Sequence, residues 1–271
     1  MSNTGKFTIA IPIHNQFEEA FGWLDSWFSL AKGKLNVLFI DNGSHQKWSA
    51  HPGVKAWRKD GHVISIVRNK ANIGVYPTFQ QAYNLISTQW IFYSHSDVEM
   101  RVAGWDERLR YLLEGAHSRH GGVCGMFGAK GIGTPEIYKS PYDFRQMMRW
   151  GCHTVESMAG AGGDPVTGDL TRCMVLDGFS LIVNRAMIEK TGGFDHKRYP
   201  VHHMYDNDIC LQSHFAGFWN FVLDLDCVHH GGMTSTREKW AQEMGTTDLK
   251  IHRAAHEVFY EKWRGKLPVS I

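Results

Sequence analysis

The chain has 271 residues, with 29 lysines and arginines against 27 aspartates and glutamates, for a formal charge of +2. That length suits one large α/β domain or two small ones, and 43% hydrophobic with 21% charged residues excludes a disordered or membrane-embedded chain. The near-balanced charge argues against a broad basic nucleic-acid surface.

Phe7 to Ile13 (FTIAIPI) is a short apolar, β-branched run stopped by Pro12 and His14-Asn15, which predicts a buried strand. Phe17, Phe21, Leu24, Trp27 or Phe28, and Ala31 then recur at helical spacing. Leu35 to Ile40 reads as a second strand, ended by the turn signal Asp41-Asn42-Gly43-Ser44, and His62 to Val67 as a third. Pro77 suits the first position of a helix whose apolar face is Phe79, Ala82, Tyr83 and Ile86. Trp90 to Tyr93 is a fourth strand running into His95-Ser96-Asp97-Val98-Glu99. Residues 128 to 172 are glycine-rich and aperiodic, which predicts loops, short helices and a lid around Gly160 to Gly163. Met174 to Val183 is strand-like with a break at Asp177-Gly178. Asp206 to Phe215 reads as a helix, Phe218 to Leu225 as a strand leading to His229-His230, and Asp248 to Trp263 as a final helix.

Strands alternating with helices imply βαβ units and a mainly parallel sheet, with ligands bound beyond the carboxyl ends of the strands. Those ends carry His14-Asn15, Asp41-Asn42, Arg68-Asn69 and His95-Ser96-Asp97. The 16 histidines and 10 tryptophans direct attention to a site of imidazoles and flat aromatic walls. The five cysteines (Cys124, Cys152, Cys173, Cys210, Cys227) are scattered, with no pair spaced for zinc or redox chemistry, which points to a reducing, cytoplasmic setting. The N-terminal apolar run is too short for a signal peptide, and none reaches the ~18 residues of a membrane span.

Three constellations carry chemistry. Asp41 can accept a hydrogen bond from a base edge with backbone near Pro12 to Asn15 completing the contact, while Asn69, Asn72 and Gly74 follow the third strand; taken singly, Asp41-Asn42-Gly43 and Asn72-Ile73-Gly74 read better as turns, and their placement at one sheet edge reverses that preference. Asp97 emerges from a rigid apolar strand, where a carboxylate can hold Mg²⁺ or Mn²⁺ against a pyrophosphate, and His229 or His230 can add an imidazole, which favours Mn²⁺. Asp206-Asn207-Asp208 opens a helix: Asp208 suits a structural anchor, Asp206 a general base flanked by a wall of His202, His203 and Tyr205.

In order along the chain, TIAIPIHN, LFIDNGS, NKANIGV, YSHSDVE, DGFSLIVNR, GGFD, YDNDICLQSHFAGF, VHHGGMTS and FYEKWRGK resemble family 2 glycosyltransferases of the GT-A fold. The resemblance implies an α/β, Rossmann-like, mainly parallel sheet flanked by helices, with a smaller acceptor-side subregion. It implies one domain over 1–271: a nucleotide-sugar half (1–100), an acceptor and catalytic half (101–247) and a C-terminal helix (248–271). By the same resemblance Pro12, Asn15, Asp41, Asn69, Asn72 and Gly74 bind the nucleotide, Asp97 and His229 the divalent metal, and Asp206 is the base. Two positions depart from the family pattern. The usual Asp-x-Asp is His95-Ser96-Asp97 here, leaving His95 and Ser96 to contact the donor, and the usual Glu-Asp is Tyr205-Asp206.

The implied reaction is inverting transfer from a nucleoside-diphosphate sugar, UDP-sugars first, to an acceptor hydroxyl. A nucleotidyltransferase commonly has a glycine-rich basic loop after the first strand, where HNQFEEAFGW stands instead. A non-catalytic nucleotide-sugar binder is the other alternative. The acceptor is a glycan or a hydroxymethylated nucleic-acid base. For the latter, the last helix offers Lys250, His252, Arg253, His256, Lys262, Arg264 and Lys266 interleaved with Tyr260 and Trp263.

Overall fold

A computed structural model of the protein describes residues 6–132, 169–199, 202–231, 239, 241–242, 244–267 and 269. The expected lid at Gly160 to Gly163, Cys152 and the end of the VHHGGMTS segment lie outside the described residues.

The first four strands form within a residue of expectation: β1 (Phe7–Ile13), β2 (Asn36–Asp41), β3 (Val63–Arg68) and β4 (Trp90–Ser94). In chain order follow β5 (Val98–Met100), β6 (Cys124–Gly128), β7 (Gly131–Ile132), β8 (Leu170–Cys173), β9 (Val175–Leu176), β10 (Ser180–Asn184), β11 (Trp219–Leu223) and β12 (Cys227–His229). An 8-stranded sheet has the order β3-β2-β1-β4-β10-β6-β11-β8. It is parallel from β3 to β4 and between β6 and β11; β10 and the edge strand β8 run antiparallel to their neighbours. The central sheet is therefore mainly parallel, and strands from both halves of the chain build it.

Successive side chains on a strand point to opposite faces, so each inner strand feeds two cores. Ala10, Leu38, Ile40, Ile91 and Tyr93 face α3 (Val75–Leu85), α5 (Arg185–Thr191), α6 (Tyr205–Phe215) and α7 (Asp248–Trp263). Ile9, Ile11, Val37, Phe39 and Phe92 face α1 (Phe17–Ser29), α2 (Pro52–Lys59) and α4 (Trp105–His120). The tryptophans belong mainly to the second core: Trp27, Trp48, Trp57, Trp90 and Trp105 are buried there. Two indoles also brace the sheet end, Trp27 Nε1 donating to the Val98 carbonyl (2.7 Å) and Trp105 Nε1 to that of Trp27 (3.0 Å).

Helix α3 starts at Val75, so Pro77 lies inside the first turn rather than opening the helix. Gly74 is the residue that opens it: its φ of 89° and ψ of 168° are accessible to glycine alone, and proline three residues later still lacks only an N–H that would have had no intrahelical partner. Helices α2, α4 and α5 and strand β6 were not expected. For α4 the signal is present in Leu109, Leu112, Leu113 and Ala116, all buried at helical spacing.

Beyond the main sheet, β5 pairs antiparallel with β12 in the register His229↔Val98. This two-stranded ribbon carries the late histidines back to the turn that follows β4.

Candidate functional site

The polar residues at the strand ends first hold one another. Asp41 is 1% exposed. Its carboxylate accepts from the backbone N–H groups of Ser44 (3.0 Å) and Trp48 (3.4 Å) and pairs with Arg68 (3.2 Å). Asn15, at a left-handed φ of 56°, donates its N–H to Ser44 Oγ (2.9 Å) and accepts from the His45 N–H (3.0 Å). His14 Nδ1 contacts the Asn42 carbonyl (3.0 Å) and its Nε2 the Asn15 amide (3.2 Å), so Nδ1 carries the proton and Nε2 accepts. Pro12 sits half-buried on β1, opposite Ile40.

The hub of this edge is Asn42, to which no role was given in the sequence reading. Its side-chain Nδ2 donates to Asn72 Oδ1 (2.6 Å) and its Oδ1 accepts from Asn69 Nδ2 (3.0 Å) and from the Ile73 N–H (3.1 Å). Asn72 also receives the Gly74 N–H (2.9 Å), and Asn69 exchanges hydrogen bonds with Gln81 on α3. Gly43, at φ +79°, lets the two loops close: a Cβ there would stand 2.5 Å from the Ala71 backbone. Asn69, Asn72, Gly74, Asn15 and Asp41 thus form one interlocked rim at the carboxyl edge of the sheet.

The turn between β4 and β5 delivers His95, Ser96 and Asp97; the ribbon delivers His229. Ligand atoms of His95, Asp97 and His229 all lie within 4.8 Å of one another. His229 Nε2 is 3.2 Å from Asp97 Oδ1, and His95 Nδ1 is 4.0 Å from it. Burial acts to raise the Asp97 pKa, but the hydrogen bond from His229 and the nearby charges of His229 and His95 outweigh it and hold the carboxyl at about 2. The β5–β12 register brings His229 and not His230 to Asp97, since His230 Nε2 pairs with Glu99 (2.7 Å) and its ring stacks on Trp23. One carboxylate and two imidazoles within this span are a donor set suited to a divalent transition ion, with the remaining positions left for substrate oxygens. Ser96 is half-buried in the same turn.

His95 Nε2 lies 2.9 Å from the Tyr205 hydroxyl, so the imidazole that follows β4 is oriented by the first residue of α6.

Next to Tyr205, Asp206 accepts from the N–H groups of Gly178 (3.1 Å) and Asn207 (2.8 Å) and from the Asn207 amide (3.1 Å). Burial and the neighbouring Asp177 charge push its pKa up to about 6, against those three hydrogen bonds. Asp177 is paired with Lys130, a lysine only 2% exposed, at 3.1 Å. For Asp177 burial is offset by Lys130, His229 and His95, which keep it below the usual carboxylate range. Neither Lys130 nor Asp177 was singled out in the sequence; the buried lysine's partner is 47 positions away, so no local spacing reveals the pair. Asp208 is the anchor expected of it, fully buried and held by Lys262 (2.8 Å), the Trp263 indole (2.8 Å) and Gln212 (2.5 Å).

Two expectations are corrected. His202 and His203 do not wall Asp206; both Nε2 atoms point to Asp248 Oδ1, at 2.7 and 3.0 Å. The cause is local backbone: His203 and Met204 have φ of 71° and 57°, which turns the chain before α6 towards α7. The basic patch on the last helix is also divided. His256, Tyr260 and Trp263 are buried, and Lys262 is drawn inward to Asp195 and Asp208, both at 2.8 Å. Lys250, Arg253, Arg264 and Lys266 stay exposed, but the aromatic rings that were to interleave with them belong to the core.

Among the described residues, no helix is long and apolar enough to cross a membrane. No known family profile matches the sequence, and no curated protein does. Solved structures do match. A mannosyltransferase of Pyrobaculum calidifontis, PcManGT, in complex with GDP-Man and Mn²⁺, is 16% identical at a TM-score of 0.56, over 94% of this chain and 69% of its own. GalNAc-T7 with UDP, GalNAc and Mn²⁺ is 10% identical at a TM-score of 0.58, and this chain spans only 43% of its length. S. aureus TarS (1-349) is 13% identical at a TM-score of 0.53, over 98% of this chain and 76% of its own. At these identities the likeness is one of fold: the chain has the mixed α/β, GT-A-like architecture of these glycosyltransferases.

Proposed function

We propose that the protein is a metal-dependent, inverting glycosyltransferase of the family 2 type, acting on a nucleoside-diphosphate sugar, UDP-sugars first. The observation that carries this reading is the contact between His95 and Tyr205, which joins the His95, Asp97 and His229 cluster to the helix start holding Asp206. A metal-binding group and a carboxylate of raised basicity thus sit side by side at the carboxyl edge of a mainly parallel sheet, where such folds bind ligands. The solved structures of like fold bound to GDP-Man or UDP with Mn²⁺ support the same assignment.

In this reading the rim of Pro12, Asn15, Asp41, Asn69, Asn72 and Gly74 receives the nucleotide, with the interlocked amides presenting a rigid wall. His95 and Ser96 face the donor. Asp97, His229 and His95 would hold Mn²⁺ or Mg²⁺, the imidazoles favouring Mn²⁺ over Mg²⁺, and the ion would supply positive charge for the departing diphosphate. Asp206, at about 6, is ionised at neutral pH yet basic enough to take the proton from an acceptor hydroxyl. That oxygen forms the new bond to the anomeric carbon as the bond to the diphosphate breaks, and the proton rests on Asp206. No covalent intermediate on the chain is required.

The acceptor is a glycan hydroxyl. A hydroxymethylated nucleic-acid base loses its support with Tyr260 and Trp263 in the core. We read residues 1–271 as one catalytic unit; Cys124, Cys173, Cys210 and Cys227 are buried in it.

The test is a nucleotide-sugar panel with Mn²⁺, read first by thermal shift and then by nucleotide release with candidate acceptors. Release should occur with one donor class and vanish in Asp97→Ala. Undiminished release in Asp97→Ala would overturn the metal assignment; binding without release under any pairing would make the chain a binder; diphosphate release from a nucleoside triphosphate and a sugar phosphate would make it a nucleotidyltransferase.

A further inference from the structure

Away from the candidate active site, the chain before α6 and the start of α7 converge on a second group of metal-ligand chemistry. Ligand atoms of His202, His203 and Asp248 lie within 4.8 Å of one another. Adjacent residues ordinarily send their side chains apart, yet both imidazole Nε2 atoms reach the same carboxylate oxygen, at 2.7 and 3.0 Å. The left-handed φ of 71° at His203 and 57° at Met204 makes this possible. Non-glycine residues in that conformation cost roughly 1–2 kcal/mol each, a cost that a purely surface turn would not retain. The ring of His252, one turn along α7, stands 4.1 Å from that of His203.

The spacing suits a tetrahedral ion. Bonds of about 2.0–2.1 Å place tetrahedral ligand atoms about 3.3 Å apart, so the observed 3.0 Å and 2.7 Å nitrogen-oxygen distances need to open by about 0.3 and 0.6 Å. Two imidazoles and one carboxylate are the donor set of zinc sites that keep one position for water; the same set at His95, Asp97 and His229 differs in standing at the sheet edge, where substrate oxygens would complete the shell of a harder ion. His202 also lines a cavity of about 520 Å³ with Arg198, Tyr199 and Lys250.

We propose that His202, His203 and Asp248 form a zinc site, separate from the His95, Asp97 and His229 cluster, that clasps the C-terminal helix α7 to the segment leading into α6. The fourth position is filled by water. The site does not depend on the glycosyl-transfer reading: a chain that moved no sugar would still bind zinc here.

Titration of the full-length, metal-stripped chain with Zn²⁺, and with Co²⁺ as a coloured substitute, tests it. In an Asp97→Ala background, which removes the other cluster's carboxylate, one equivalent of Co²⁺ should still give the intense visible absorption of a tetrahedral site, and Zn²⁺ should displace it and raise the melting temperature. Adding His203→Gln or Asp248→Asn should weaken Zn²⁺ binding by more than roughly 100-fold, beyond the 10–100-fold effect of an outer-shell partner. Two variants, each checked for a native circular-dichroism spectrum without metal, separate lost binding from lost folding. Binding that disappears with Asp97→Ala alone, or survives both second substitutions unchanged, overturns the site.

Discussion

Replacing Lys262 with methionine isolates one buried interaction and gives a magnitude that can be worked from distances. Lys262 Nζ lies 2.8 Å from Asp208 Oδ1 and 2.8 Å from Asp195 Oδ2, and Asp208 is 0% exposed. Methionine fills the space of the stem but removes the cation, leaving a buried carboxylate with the Trp263 indole (2.8 Å), Gln212 (2.5 Å) and Tyr76 (3.4 Å) as its remaining partners. Stripping one member of a buried pair costs about 3–5 kcal/mol, and the remaining donors place this case near the lower bound. At about 2–4 °C per kcal/mol for a domain approaching this size, the melting temperature should fall by roughly 6–12 °C. The loss should depend on pH with a defined sign. Burial already raises the Asp208 pKa against the pull of Lys262, and removing that lysine raises it further. A carboxyl whose folded pKa exceeds its unfolded value stabilises the fold fully below the unfolded value, about 4, and loses that contribution as pH rises through the folded pKa. The variant's deficit should therefore be largest at pH 8 and shrink towards pH 4.5. Adding Asp208→Asn should recover part of it. Thermal melts followed by circular dichroism measure all of this; a deficit below about 1 kcal/mol at pH 8, or one equal at both pH values, would refute the reasoning.

Asp206→Asn should lower the transfer rate by about 10²–10⁴ with donor affinity retained, as measured by turnover against nucleotide binding; near-normal turnover would remove its role as base. In the unsubstituted protein the rate should rise with pH through about 6 and then level as Asp206 ionises, and Asp177→Asn, which deletes the like charge raising that pKa, should move the inflection to lower pH. Tyr205→Phe keeps the ring but removes the hydroxyl that orients His95, so the Mn²⁺ concentration for half-activation should increase about 10–100-fold. Gly43→Ala forces a side chain into φ +79° with its Cβ 2.5 Å from the Ala71 backbone, and denaturant melts should show a loss of at least about 1–2 kcal/mol together with weaker donor binding.

What the sequence discloses and what it withholds follow a physical divide. The first four strands and the last helix declare themselves because their signals are local: an apolar run of the right length, a turn at its end, a 3.6-residue period. Helix α4 carries the same local signal in Leu109, Leu112, Leu113 and Ala116. The partners of charged groups are another matter. Lys262 counts as surface charge in a list of basic residues; only the fold shows Asp195 and Asp208 closing on it. His229 and His230 are chemically equivalent neighbours, and the pairing of β12 with β5 alone gives one to Asp97 and the other to Glu99. His202 and His203 were placed beside Asp206 by sequence distance, whereas two left-handed residues turn them to Asp248. Asn42 looks like the second letter of a turn and proves to join that turn to the loop between β3 and α3.

The contact of His95 with Tyr205 makes the two positions interdependent. Aspartate at position 95 alone would set a second carboxylate beside Asp97 and leave the Tyr205 hydroxyl facing an acid in place of an imidazole. Glutamate at position 205 alone would bring a charge against His95 and crowd Asp206. The effects of changing both should therefore not sum, and a double-mutant cycle on metal affinity reads that coupling directly.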